Sequence, residues 1–307
     1  MAAGTLTSAE PTCAAGRAPM PKPLDMRQLL REFGLRPKKS LGQNWLVDES
    51  VLSCIAVAAE LTRQDIVLEI GPGLGALTRH LGEGAGRVIA VELDAALIPP
   101  LSRSLADYAN VTIVQGDILQ FSPSALVSGL DFSSSPIQYK VVANLPYYIT
   151  SAVIRHLLEA DVPPSLIVLT VQLEVAQRIT AAPGKMSLLA VSVQFYGRPS
   201  IVTHIKAGSF YPAPKVDSAV VRIEPYNRPA VDVADREGFF AVVKAGFSQK
   251  RKQLHNALAG GLARPQADVL AALEGAGVNG HRRAETLTLD EWASVARAIL
   301  SFSPTAK

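Results

Sequence analysis

The chain has 307 residues, enough for one large domain or two modest ones with a substantial core. Its 48% hydrophobic and 19% charged content excludes a chain that is disordered throughout. A net charge of +3 is too small for a protein that coats nucleic acid, and it leaves room for a local basic face. No apolar run approaches membrane-spanning length, and Glu10 with nearby prolines breaks any signal-peptide core, so a cytoplasmic setting is expected. The two cysteines, Cys13 and Cys54, are too few for a thiolate metal site, and their contexts argue against an intramolecular disulfide.

Residues 1–25 are rich in Ala, Pro, Ser and Thr without periodicity and read as a disordered tail, with Met20 and Met26 as alternative starts. From residue 66 a strand, glycine-turn, helix rhythm sets in. Apolar strands are predicted at 66–70, 87–92, 111–115, 139–143 and 166–171, with helices between them, notably 76–81 and 150–159. That alternation predicts an α/β fold, Rossmann-like, with a parallel sheet covered on both faces. The segment 187–196 suits a helix better than a strand. Strands at 200–205 and 218–223, joined by a Pro-rich loop, are expected to close one sheet edge. Beyond a linker at 225–229, helices are predicted at 236–247, 249–259, 266–275 and 289–302. The expected domains are therefore 26–225, carrying the sheet, and a small all-helical domain over 226–307.

Glu69-Ile70-Gly71-Pro72-Gly73-Leu74-Gly75 follows the first strand and precedes a helix. Glycines there let the backbone approach a ligand at the carboxyl edge of the sheet. Gly71, Gly73 and Ala76 also fit the relaxed dinucleotide fingerprint, so NAD remains a competing cofactor at this point. Glu92 ends the second strand, where a carboxylate can accept hydrogen bonds from a ribose diol. Asp117 follows the third strand. It suits the exocyclic amine of an adenine, a contact more typical of S-adenosyl-L-methionine enzymes, and equally suits a helix cap.

Asn144-Leu145-Pro146-Tyr147 ends the fourth strand. Its chemistry fits an amino group on an aromatic ring, a poor nucleophile because its lone pair is delocalised. The Asn144 amide oxygen and the Leu145 carbonyl can each accept one of its protons, which aims the lone pair at a methyl sulfonium. Pro146 fixes its own φ and biases Leu145 toward extended backbone, and Tyr147 offers a face for base stacking. No metal is required.

These blocks together resemble the small-subunit ribosomal RNA adenine dimethyltransferases from about residue 37 to 296. The match includes Lys38 to Asp48, Glu69 to Gly73, Val91 to Asp94, Asn144 to Thr150, Phe210 to Val221 and Arg283 to Leu287. The resemblance implies dimethylation of N6 on two adjacent adenines in the 3′-terminal hairpin loop of 16S rRNA, within the 30S subunit or its precursor. It implies that Gln43, Asn44 and Leu46 belong to a segment closing over the cofactor, and that Glu69, Gly71, Gly73, Glu92, Asp117 and Asn144 bind it. It also implies that Phe210 sandwiches the target adenine opposite Tyr147, although a plain core phenylalanine fits the sequence as well. Trp45 departs from the family, which more often has Phe there. Basic residues Lys38, Lys39, Lys215, Lys250, Arg251, Lys252, Arg282 and Arg283 are the expected RNA contacts. No feature demands a dimer, so a monomer is expected. The competing readings are a 23S rRNA adenine methyltransferase of the macrolide-resistance type, which shares the Asn-Leu-Pro-Tyr logic, and an NAD-dependent dehydrogenase.

Overall fold

The computed structural model describes residues 21–128 and 138–301. Most of the tail expected over 1–25 lies outside the described residues. Residues 21–25 do not read as tail: Asp25 caps the helix Met26–Glu32 by accepting from Gln28 N at 2.9 Å, and Leu24 packs beside Met26 and Leu30. Cys54 is buried in the helix Glu49–Ala58, and Cys13 lies outside the described residues.

The described residues divide into two compact units, one within 21–176 together with 200–224, the other 177–199 with 225–301. The continuous first domain expected over 26–225 thus needs correction, because 177–199 belongs with the C-terminal helices. The helix Leu188–Tyr196 explains this: Ala190, Val191 and Phe195 are fully buried among Phe239, Val243 and Trp292 of that helical unit. Phe195 stacks on Phe239 with ring centroids 5.1 Å apart. A helix so apolar must be enclosed, and its partners are helices.

In the helical unit, Arg236–Gly246, Gln266–Gly275 and Leu289–Ser301 fall where the periodicity predicts. The helix expected over 249–259 instead spans Leu254–Leu262. Ser248 donates to the Ala245 carbonyl as the preceding helix ends, and Lys250-Arg251-Lys252 lies exposed in the turn between the two. Three adjacent cations supply no apolar face for a helix to bury there.

The first unit is built on a seven-stranded sheet. Its strands are β1 (Ile66–Ile70), β2 (Arg87–Glu92), β3 (Val111–Gln115), β4 (Lys140–Asn144), β5 (Leu166–Gln172), β6 (Gly197–Ile205) and β7 (Ser218–Pro225), in spatial order 3-2-1-4-5-7-6. The first five pair in parallel, while β7 runs antiparallel to β5 with Val220 opposite Thr170. All of β1 is buried, as expected of a parallel strand covered on both faces. A two-residue ribbon, Trp45–Leu46 against Phe210–Tyr211, is too short to leave a periodic signal.

Two consequences matter for function. Placing β7 between β5 and β6 departs from the 3-2-1-4-5-6 order of dinucleotide-binding sheets. And β1 and β4 are neighbours from which the chain winds in opposite directions, so a crevice opens beyond their carboxyl ends.

Candidate active site

That crevice is a cleft partly open to solvent. Gly71 and Gly73 line it after β1, Glu92 at the end of β2, Asp117 after β3, Asn144 to Tyr148 after β4, and Leu41 to Trp45 from the N-terminal segment. The sequence-predicted residues from five separate stretches are therefore brought together. The exceptions are Glu69 and Leu46, which line a small adjoining pocket with Trp45, Gly71 and Asn144, and Phe210.

The glycine turn is a cradle of bare backbone. Gly71 and Gly73 have φ of 70° and 61°, in the left-handed region that a side chain disfavours. A Cβ on Gly73 would lie 2.5 Å from Trp45 Nε1, so the indole rests where any side chain would stand. A large aromatic at residue 45 is thus held by its contact with Gly73.

Glu92 is buried at 6% exposure, and its two oxygens accept from Gly73 N at 3.0 Å and Asp94 N at 2.8 Å. A carboxylate has about four acceptor positions, so two remain for a diol. Burial pushes its carboxyl above the usual range, against the pull of those backbone donors. Glu69 is more extreme. Burial raises it to about 8, the Thr78 hydroxyl opposing and the charge of Glu92 adding to the shift. Its Oε2 is a buried acceptor without a hydrogen-bond partner. Asp117 Oδ1 accepts from Leu119 N at 3.0 Å, the helix-cap role, and the residue lines the cleft.

Asn144 Nδ2 donates to the Asn44 carbonyl at 3.2 Å. A carbonyl can only accept, so this contact fixes the amide orientation and leaves Oδ1 as the acceptor available to a ligand. Pro146 has φ −58° and its carbonyl accepts from Ile149 N at 3.2 Å, which turns the chain into the helix Thr150–Leu158. Tyr147 is half-buried, and its hydroxyl shares a 2.7 Å hydrogen bond with the buried Ser218. Burial pushes that phenol up, partly offset by Ser218. The ring is therefore held from β7, a role for Ser218 that the sequence did not indicate.

The N-terminal segment is anchored by Asp94, a residue that sequence reasoning left without a task. Asp94 accepts from Lys38 Nζ at 2.7 Å and Gln43 Nε2 at 2.9 Å, while Gln43 Oε1 accepts from Lys38 N at 2.8 Å. Burial opposes ionisation of Asp94, but these donors outweigh it and hold the carboxyl below its usual value. The only sequence clue was its place two residues after Glu92.

Phe210 does not reach the cleft wall. It is 4% exposed, paired with Leu46 across the ribbon and packed among Leu46, Leu52, Ile55 and Val220, so it is a core residue here. Among the basic candidates, Lys39, Lys215, Lys250, Arg251, Lys252 and Arg283 are exposed, Arg283 with a long 3.9 Å ion pair to Glu285, whereas Lys38 and Arg282 are held by closer partners. Lys38 is tied to Asp94, and Arg282 pairs with both oxygens of Glu291 and donates to the Thr286 carbonyl at 2.7 Å. Among the described residues no group of three His, Cys, Asp or Glu side chains converges as a metal site.

Comparison with known proteins adds an independent line. A protein from Dehalococcoides mccartyi, ribosomal RNA small subunit methyltransferase A, is 46% identical over 266 residues, covering 87% of this chain and 89% of the relative. The crystal structure of the 23S rRNA methyltransferase ErmE aligns with TM-score 0.65 and 30% identity over 84% of this chain and all of that one. A dimethyladenosine transferase from Plasmodium falciparum aligns with TM-score 0.67 and 25% identity over 81% and 94%. The ribosomal RNA adenine dimethylase profile matches residues 34–300, and the chain belongs to that family.

Proposed function

We propose that this protein transfers methyl groups from S-adenosyl-L-methionine to N6 of adenine in small-subunit rRNA, two to each base. The observation that carries this reading is the Asn144 amide, whose Nδ2 is held by the Asn44 carbonyl so that Oδ1 is left to accept, in the same cleft as Glu92 and the glycine cradle. A dehydrogenase would leave Asn144 to Tyr147 without a task, and the strand order also speaks against it.

The residues fit the cofactor. Bare backbone at Gly71 and Gly73 suits close approach, the two acceptor positions left on Glu92 suit a ribose diol, and the second oxygen of Asp117 suits an adenine amine. The unpartnered Oε2 of Glu69, in the adjoining cavity, suits a cationic group such as the ammonium of the amino-acid portion. When bound, S-adenosyl-L-methionine supplies an electrophilic methyl on its sulfonium.

The chain's own part is to make an arylamine nucleophilic. Asn144 Oδ1 and the Leu145 carbonyl accept hydrogen bonds from its two N–H groups and draw the nitrogen toward a pyramidal geometry. The N–H proton is lost to solvent once the N–CH3 bond has formed and the S–CH3 bond has broken. Pro146 stiffens the backbone that carries the second acceptor. Tyr147 stacks on the base, a contact worth ~1–3 kcal/mol. Gln43, Asn44 and Trp45 wall the cleft against water. A base buried in a duplex cannot enter, so an adenine in a loop is the favoured target. Lys39, Lys215, Lys250, Arg251, Lys252 and Arg283 suit phosphate contacts whose strength falls with salt.

The choice of small-subunit over 23S rRNA rests on the 46% identity to a small-subunit enzyme, against 30% to ErmE. The two adjacent adenines of the 3′-terminal 16S hairpin, in an assembling 30S particle in the cytoplasm, are the substrate we infer. Incubating the protein with labelled S-adenosyl-L-methionine and both under-methylated subunits tests this. Label in 16S rRNA is expected; label confined to 23S rRNA would refute it.

A further inference from the structure

Beside Tyr147, whose ring is half-buried and tied to Ser218, stands a second tyrosine with the opposite character. Tyr148 is 60% exposed, yet it lines the same cleft. Its ring is backed by the turn at Gly42. A Cβ placed there would lie 3.4 Å from Tyr148 Cδ1, 3.5 Å from Cε1 and 3.4 Å from Pro146 Cβ. Those are ordinary van der Waals distances, so the turn lies beside the ring, and the Gly42 φ of 61° is what favours glycine there. Leu93, which follows β2 and is 49% exposed, is a further apolar side chain on this cleft.

An aromatic ring supported on one side and open on the other, at the rim of a site that takes a base, has the form of a stacking platform. RNA cannot deliver one base alone, because the neighbouring nucleotide is carried along by the backbone. The two tyrosines are themselves one residue apart. We propose that Tyr148 stacks the base next to the target adenine and positions the flanking RNA while Asn144 handles the reacting nitrogen. This rests on the reading that the substrate is adenine in RNA. A cofactor contact is disfavoured by exposure: the proposed ribose acceptor Glu92 is 6% exposed, and Tyr148 is open.

The test compares Tyr148→Ala, Tyr148→Leu and Tyr148→Phe in the full chain. Steady-state transfer to under-methylated small subunits is measured beside S-adenosyl-L-methionine affinity by calorimetry. Stacking uses the ring face and not the hydroxyl, so the Phe variant should stay within about two-fold of wild type. The Ala and Leu variants should lose about ten-fold in kcat/KM for rRNA, chiefly through KM, equivalent to ~1.4 kcal/mol. Cofactor affinity should be unchanged in all three. A fully active Leu variant, a Phe variant as impaired as Ala, or cofactor affinity falling in step with turnover would each overturn the inference. If wild type itself places no label on rRNA while binding the cofactor, the underlying reading of the substrate fails, and this inference with it.

Discussion

Glu69 carries a buried charge problem that a single substitution can expose. Its carboxyl is 1% exposed and raised from an ordinary 4.5 to about 8, mainly by burial. A carboxyl with a raised folded-state pKa binds its proton more tightly in the folded protein, so it favours the fold at low pH. The penalty is absent below pH 4.5, where both states are protonated, grows as pH rises and levels off above about 8. At ~1.36 kcal/mol per pH unit, the penalty at pH 7 is about 3 kcal/mol. Glutamine is close in shape to the protonated acid and never ionises. Glu69→Gln should therefore stabilise the cofactor-free protein by about 3 kcal/mol at pH 7 and by less than about 1 kcal/mol at pH 5. Urea unfolding at both pH values measures this, with Trp45 fluorescence reporting on the unit that contains Glu69. The variant should bind S-adenosyl-L-methionine more weakly, because the ionisable carboxylate that a cationic group would pair with is gone. A pH dependence of stability identical to wild type would refute the reasoning.

Asn144→Ala should reduce methyl transfer by more than about 10²-fold, the scale of losing a charge-stabilising polar group from a catalytic site, while cofactor affinity falls only several-fold. Turnover rates and calorimetry separate the two, and full activity would contradict the role of Oδ1. Gly73→Ala forces a side chain into left-handed backbone and against Trp45 Nε1. A loss of about 2–3 kcal/mol in unfolding free energy and at least ten-fold weaker cofactor binding are expected. Phe210→Leu should cost less than about 1.5 kcal/mol, and Phe210→Ala about 3–5 kcal/mol, in denaturant unfolding. If Phe210 is core, the folded Leu variant keeps near-normal kcat; a stable Leu variant with lost turnover would instead make the ring a stacking partner of the base.

The strands that build the site were legible because buried parallel strands are short apolar runs with a turn after each. β2 and β3 fall on the predicted residues, and β4 is displaced by one. The ends of those strands carry Gly71, Glu92, Asp117 and Asn144, so much of the cleft lining followed. The Trp45–Leu46 ribbon did not, since two residues have no period. The hold of Asp94 on Lys38 and Gln43 joins segments 51 to 56 residues apart, a proximity that only the folded chain creates. Residues 177–199 were assigned to the wrong unit because an apolar helix shows that it must be buried without showing against what. Arg282 read as a phosphate contact for a similar reason: its partner Glu291 is one helical turn into the next element and silent in the charge pattern.

Nucleoside analysis of the reacted rRNA tests the central claim most directly. Under-methylated small subunits are incubated with S-adenosyl-L-methionine and either wild type or the Asn144→Ala variant, and the RNA is digested for mass spectrometry. Wild type should produce N6,N6-dimethyladenosine at two adjacent positions near the 3′ end, and the variant none. Methylation at a ring nitrogen or a ribose hydroxyl, or equal product from both proteins, would contradict the account.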